Sequence, residues 1–165
     1  MRKLCVILFV SLGAATALAQ DKPSMVGNWK MDIAQSDFGS DPAPKSESNA
    51  ISDDSPQLLS FRVHRVDDKG KPSVYSWRGP EDGSMHPGLM NGKPYNQAGL
   101  TREQDGTLVQ HSEDPDGSTF EARISMSPDG NTLTAEGSSK SKDGKETRNK
   151  QVYHRVGGAN GKPAS

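Results

Sequence analysis

The stretch Thr119-Phe120-Glu121-Ala122-Arg123-Ile124-Ser125-Met126-Ser127-Pro128-Asp129-Gly130 decides the fold. Phe120, Ala122, Ile124 and Met126 alternate with Thr119, Glu121, Arg123 and Ser125. That is the period of a strand with one face buried and the other in water. Asp129-Gly130 then ends the run. Asp-Gly favours a tight hairpin because Gly takes φ > 0 without a Cβ clash and Asp tolerates left-handed geometry. The same pair recurs at Asp105-Gly106, Asp116-Gly117 and Asp143-Gly144, each time between short alternating segments. Turns so spaced leave room for strands of ordinary length, which describes an antiparallel meander.

The same reading extends in both directions. Residues 98–104, 107–112, 118–127, 131–138 and 146–156 read as successive strands. Upstream, 26–32 is a strand with Trp29 and Met31 on one face. In 58–66, Leu59, Phe61 and Val63 lie on one side, with Arg62 and His64 on the other. A turn at Asp67-Asp68-Lys69-Gly70 returns the chain through 73–78, where Tyr75 and Trp77 share a face. Residues 40–56 are rich in Ser, Asp and Pro and read as loop, with a short strand inside at 46–51. The pattern breaks again over 80–97, where Asn91-Gly92 marks a small hairpin and Met85, Leu89 and Met90 suggest a pliable cover. No long helix pattern appears. The expected fold is all-β: an up-and-down antiparallel meander of 8–10 strands closing into a barrel, since closure removes exposed edges.

Composition narrows the class. Met1-Arg2-Lys3, the apolar run 4–19 and Ala17-Leu18-Ala19 have the form of a secretory signal peptide cleaved after Ala19. The run is short for a membrane span, and no later segment resembles one. The expected layout is a signal peptide at 1–19, a linker at 20–25, a barrel at 26–156 and a flexible tail at 157–165, in a secreted or periplasmic protein. Cys5, the only cysteine, lies in the leader, so the exported part has no disulfide to lean on. The chain is 31% hydrophobic even with the leader counted, and its net charge is −1. The core is therefore lean, and no basic patch points to nucleic acid.

Gly27-Asn28-Trp29 resembles the Gly-x-Trp signature of lipocalin and calycin barrels. That resemblance implies a Trp closing one barrel end beneath a basic residue from the last strand, here Arg155, in a cation–π contact worth about 0.5–2 kcal/mol. More broadly the chain resembles small secreted bacterial proteins with a lipocalin-like barrel. The matching pieces are Gly27-Asn28-Trp29-Lys30, Ser36-Asp37-Phe38, 42–46, Asn91-Gly92-Lys93-Pro94-Tyr95, 127–134, 142–145 and Gln151-Val152-Tyr153. The second lipocalin motif, of Thr-Asp-Tyr type, is absent. The resemblance implies a barrel and supplies no activity.

Candidate chemistry is sparse. His64, His111 and His154 would bind a metal only if all three converged, and their spacing matches no ligand pattern, so no metal is assigned. Ser112-Glu113-Asp114-Pro115-Asp116-Gly117 lacks the first and last ligands of a calcium loop and reads as a turn. The Gly-x-Ser-x-Gly, His-Glu-x-x-His, Walker and dinucleotide fingerprints are missing, and no catalytic residue or cofactor is assigned. What remains is a barrel interior. Phe61, Tyr75, Trp77, Phe120, Ile124, Leu133 and Val152 can fill it or line a site. Arg62 and His64 are candidate partners for an anionic headgroup, with Met90 and His111 as further candidates. The reading is non-catalytic binding of a small apolar or amphipathic ligand. The alternatives are an envelope structural or protein-interaction module, and a metal-dependent enzyme.

Overall fold

The structure is a computed structural model, described here over residues 23–157. The expected signal peptide and most of the expected tail lie outside the described residues. Ten strands follow in order: β1 (Gly27–Met31), β2 (Ser46–Ser55), β3 (Leu58–Val66), β4 (Pro72–Gly79), β5 (His86–Met90), β6 (Lys93–Arg102), β7 (Leu108–Glu113), β8 (Thr119–Met126), β9 (Thr132–Lys140) and β10 (Glu146–Val156). Each pairs antiparallel with its sequence neighbour, and β1 pairs with β10 through Trp29↔Arg155 and Met31↔Tyr153 to close the barrel. The fold is the expected all-β meander. No helix among the described residues is long and apolar enough to cross a membrane.

The turns behave as their residues require. Gly106, Gly117, Gly130 and Gly144 all take positive φ, and the preceding or neighbouring aspartates cap the turns through backbone amides, as Asp116 does for Ser118 at 2.9 Å. The potential calcium loop is this hairpin. Asn91 and Gly92, with φ of 51° and 77°, form the two-residue turn between β5 and β6, both left-handed as a tight hairpin needs.

Three expectations change. The short strand expected at 46–51 runs on to Ser55, ten residues in all, through a stretch read as loop. Its inward positions include Glu47 and Asn49, so it lacks the apolar alternation that marks a strand, and its pairing to β1 and β3 supplies what propensity does not. Residues 86–97 are barrel wall rather than cover. Met85 stands 41% exposed within the β4–β5 connection, Leu89 pairs with Ser76, and Met90 pairs with Tyr75. β4 and β5 share only those two pairs, and the β5–β6 register shifts at Gly88/Leu89. Met25, expected in a linker, is 2% exposed and joins the core.

Candidate functional site

One end of the barrel is closed by side chains whose polar atoms are paired. Trp29 is fully buried, its Nε1 donating to the Met25 carbonyl at 2.9 Å. The Arg155 guanidinium lies 4.1 Å from the Trp29 ring centroid and donates to the carbonyls of Gly130, Val26 and Ser24 at 2.8, 2.6 and 2.8 Å. Gly27 is what admits it: a Cβ there would stand 2.6 Å from Arg155 Nη1. Beside this, Arg102 donates to both oxygens of Glu81 at 2.6 and 2.7 Å and to Asp54, which also accepts the Met25 amide at 2.6 Å. The side chains of Glu81 and Asp54 are 1% and 7% exposed. Two buried carboxylates on one guanidinium form a closed ionic plug.

Above the plug lies an interior cavity of about 170 Å³. Its walls are largely apolar, with Phe61, Leu100, Phe120, Ile124 and Leu133 among them. Two glycines set the aromatic walls. A Cβ at Gly137 would fall 2.7 Å from the Phe120 ring, and one at Gly88 would collide with the Tyr75 hydroxyl. Tyr75 donates to Asn96 Oδ1 at 3.1 Å, and burial pushes its pKa up to about 12. It therefore stays a neutral phenol at any ordinary pH.

The cavity also carries polar groups that alternation does not advertise. Glu47, buried, accepts a short hydrogen bond from the Tyr153 hydroxyl and a 3.2 Å contact from Arg65 Nη1. Desolvation holds the Glu47 carboxyl above its ordinary value, against the opposing pull of Tyr153 and Arg65. Burial, then the adjacent Glu47 charge, keeps Tyr153 protonated. Gln151 reaches Tyr153 at 2.9 Å. Asn49 and Gln110 complete the polar lining. Asn49 Oδ1 is buried with no hydrogen-bond partner, the only such side-chain atom among the described residues. An unpaired buried amide oxygen costs about 1–3 kcal/mol, and a water or another bound group would relieve it.

The structure brings Phe61, Tyr75 and Phe120 together around the cavity. Trp77 is inward but 2% exposed in the core, stacked on Phe61 at 5.9 Å and donating Nε1 to the Ala98 carbonyl at 2.9 Å, so it supports Phe61 rather than lining the space. Met90 pairs with Tyr75 without reaching the lining. Arg62 and His64 alternate with inward Phe61 and Val63 and are exposed on the outer face. His111 is also exposed, 3.4 Å from Glu121. His154 contacts Asp32 at 3.4 Å on a different strand. The three histidines do not converge, and no cluster of metal-binding side chains occurs among the described residues. Val152 alternates with inward Gln151 and Tyr153 and belongs neither to the cavity nor to the core cluster.

No protein-family model matches the chain, and no curated protein matches it. Two solved structures are similar in fold. An S-type phycobiliprotein lyase from Guillardia theta shares 16% identity and a TM-score of 0.48, over 80% of this chain and 88% of that one. The structure of EF1p2_mFAP2b bound to DFHBI shares 14% identity and a TM-score of 0.43, over 79% and 93%. At that level of likeness the barrel rests on its own strand pairing.

Proposed function

We propose that this is an exported barrel that holds one small amphipathic molecule without transforming it. The observation that carries the reading is the interior cavity, about 170 Å³, apolar over most of its wall and polar around Glu47, Asn49 and Gln151. Engineered cavities of roughly 150 Å³ accept benzene, so the guest is about the size of one substituted ring. The apolar wall supplies affinity by burial, and a few fixed polar groups orient the guest. Export is supported by the basic start, apolar run and Ala17-Leu18-Ala19 of the leader.

Native mass spectrometry and solvent extraction of the purified protein test the reading. A small molecule should be recovered from the natural chain and lost from an Ala122→Leu variant, whose added side chain fills space that Ala122 now borders. An empty protein, together with no response of the Ile124 methyl resonances to a panel of single-ring compounds, would rule the proposal out. Export is checked by sequencing the mature N-terminus, expected to begin at Gln20.

A further inference from the structure

The chemistry of the guest follows from where the unpaired amides stand. Asn49 is on β2 and Gln110 on β7, and both line the cavity. In the closed ring, β2 and β7 are five strands apart in either direction, so the two residues occupy opposite walls. Asn49 faces inward with its register partners Trp29 and Val63, and Gln110 does so with Leu100 and Ala122. Asn49 Oδ1 has no hydrogen-bond partner, and the Gln110 amide makes no hydrogen bond to any described residue. Glu47 is engaged by Tyr153 and Arg65, the Gln151 carbonyl oxygen by Tyr153, and Tyr75 by Asn96.

A primary amide offers a donor and an acceptor side by side, and rotation about its last bond exchanges them. Two such groups across a narrow apolar space are matched by hydrogen-bonding groups at both ends of one guest. Phe61 on β3 and Phe120 on β8 stand on opposed strands in the same way, and they supply aromatic contact for a flat ring. The inward groups left unpaired are uncharged, and the one carboxylate in the cavity lining, Glu47, is already paired, so the site does not ask for a charged guest.

We infer that the cavity selects a neutral, flat, single-ring compound with hydrogen-bonding groups on opposite edges, clamped between the amides of Asn49 and Gln110. This rests on the interior being the binding site, and it adds which guests are preferred. A purely apolar ring would leave both amides desolvated and unmatched. A ring with one polar edge would match only one of them.

The test compares 4-hydroxybenzamide, polar at both ends, with p-xylene, of similar length and apolar at both ends. Binding is read by calorimetry, and the Ala122 and Ile124 methyl resonances report entry into the interior. The natural protein should prefer 4-hydroxybenzamide. Asn49→Leu and Gln110→Leu should each weaken that probe by about tenfold, the worth of one buried hydrogen bond, and leave p-xylene unchanged or tighter. Because the substitutions lie on different strands, one remains informative if the other fails to fold. If p-xylene enters and 4-hydroxybenzamide binds no better, or is indifferent to both substitutions, the clamp is wrong and the apolar site survives. If neither probe shifts the interior methyls, both the clamp and the cavity as a site are overturned.

Discussion

At the closed end of the barrel, Arg155 gives hydrogen bonds to three carbonyls and Arg102 satisfies two buried carboxylates. Higher in the same barrel, Asn49 Oδ1 is buried with nothing bonded to it. The strands are continuous between these regions, and the alternation that points Arg102 inward also points Leu100 to the cavity. The difference lies in pairing. A plug that must be dry and permanent has every charge matched. On the proposed reading, a chamber that accepts a guest leaves polar atoms for that guest to match, at some cost to the empty fold.

Removing a polar side chain should therefore move stability in opposite directions at the two regions, while crowding the chamber wall costs stability. The largest effect is expected from Arg102→Met, which strands Glu81 and Asp54 without a counter-charge and should cost about 3–5 kcal/mol, read from the denaturant midpoint. A loss below about 1 kcal/mol would show the plug to be dispensable. Gly88→Ala should cost about 1–3 kcal/mol by overpacking, because the new methyl meets the Tyr75 hydroxyl. It should also move the Tyr75 ring resonances, whereas Gly92→Ala, at a turn with open space around it, should leave that ring in place.

Asn49→Leu should raise stability, by about 1 kcal/mol, while removing the polar match in the chamber. A destabilised Asn49→Leu would mean that the amide is paired in solution by something other than a guest. The smallest effect concerns pH. Glu47 has a raised pKa in the fold, so its contribution to stability is present at low pH and is lost as pH rises from the ordinary value near 4.5 through the elevated one. The natural protein should lose melting temperature relative to Glu47→Gln over that rise. The turn aspartates with lowered pKa, such as Asp67 and Asp116, are common to both chains and cancel in the difference. A melting-temperature difference that is flat with pH would place Glu47 in a wetter setting than its burial indicates.

The meander was legible because its signals are local. Asp-Gly pairs sit at the hairpins, and runs such as Phe120–Met126 carry the strand period on their face. Phe61, Tyr75 and Phe120 could be nominated for the same reason, each sharing a face with apolar neighbours. Arg62 and His64 alternate against Phe61, and their outward placement follows from that alternation. What escaped is what local pattern cannot carry. β2 was legible only as a short strand at 46–51 within a loop, because Glu47 and Asn49 take inward positions and break the apolar alternation that marks a strand. The Asp54, Glu81 and Arg102 plug joins three distant segments, so no spacing rule announces it. Gln110 is polar at an inward position, and only the closed ring shows that it stands opposite Asn49.

The two-pair contact between β4 and β5 makes the barrel unequal around its circumference. β1 meets each neighbour through four pairs, whereas the longer ladders hold nine pairs between β9 and β10 and eight between β8 and β9. Backbone amides opening onto so short a seam exchange with solvent ahead of those in the long ladders. The side wall at Tyr75 and Met90 is thus where hydrogen exchange should first report an opening of the barrel.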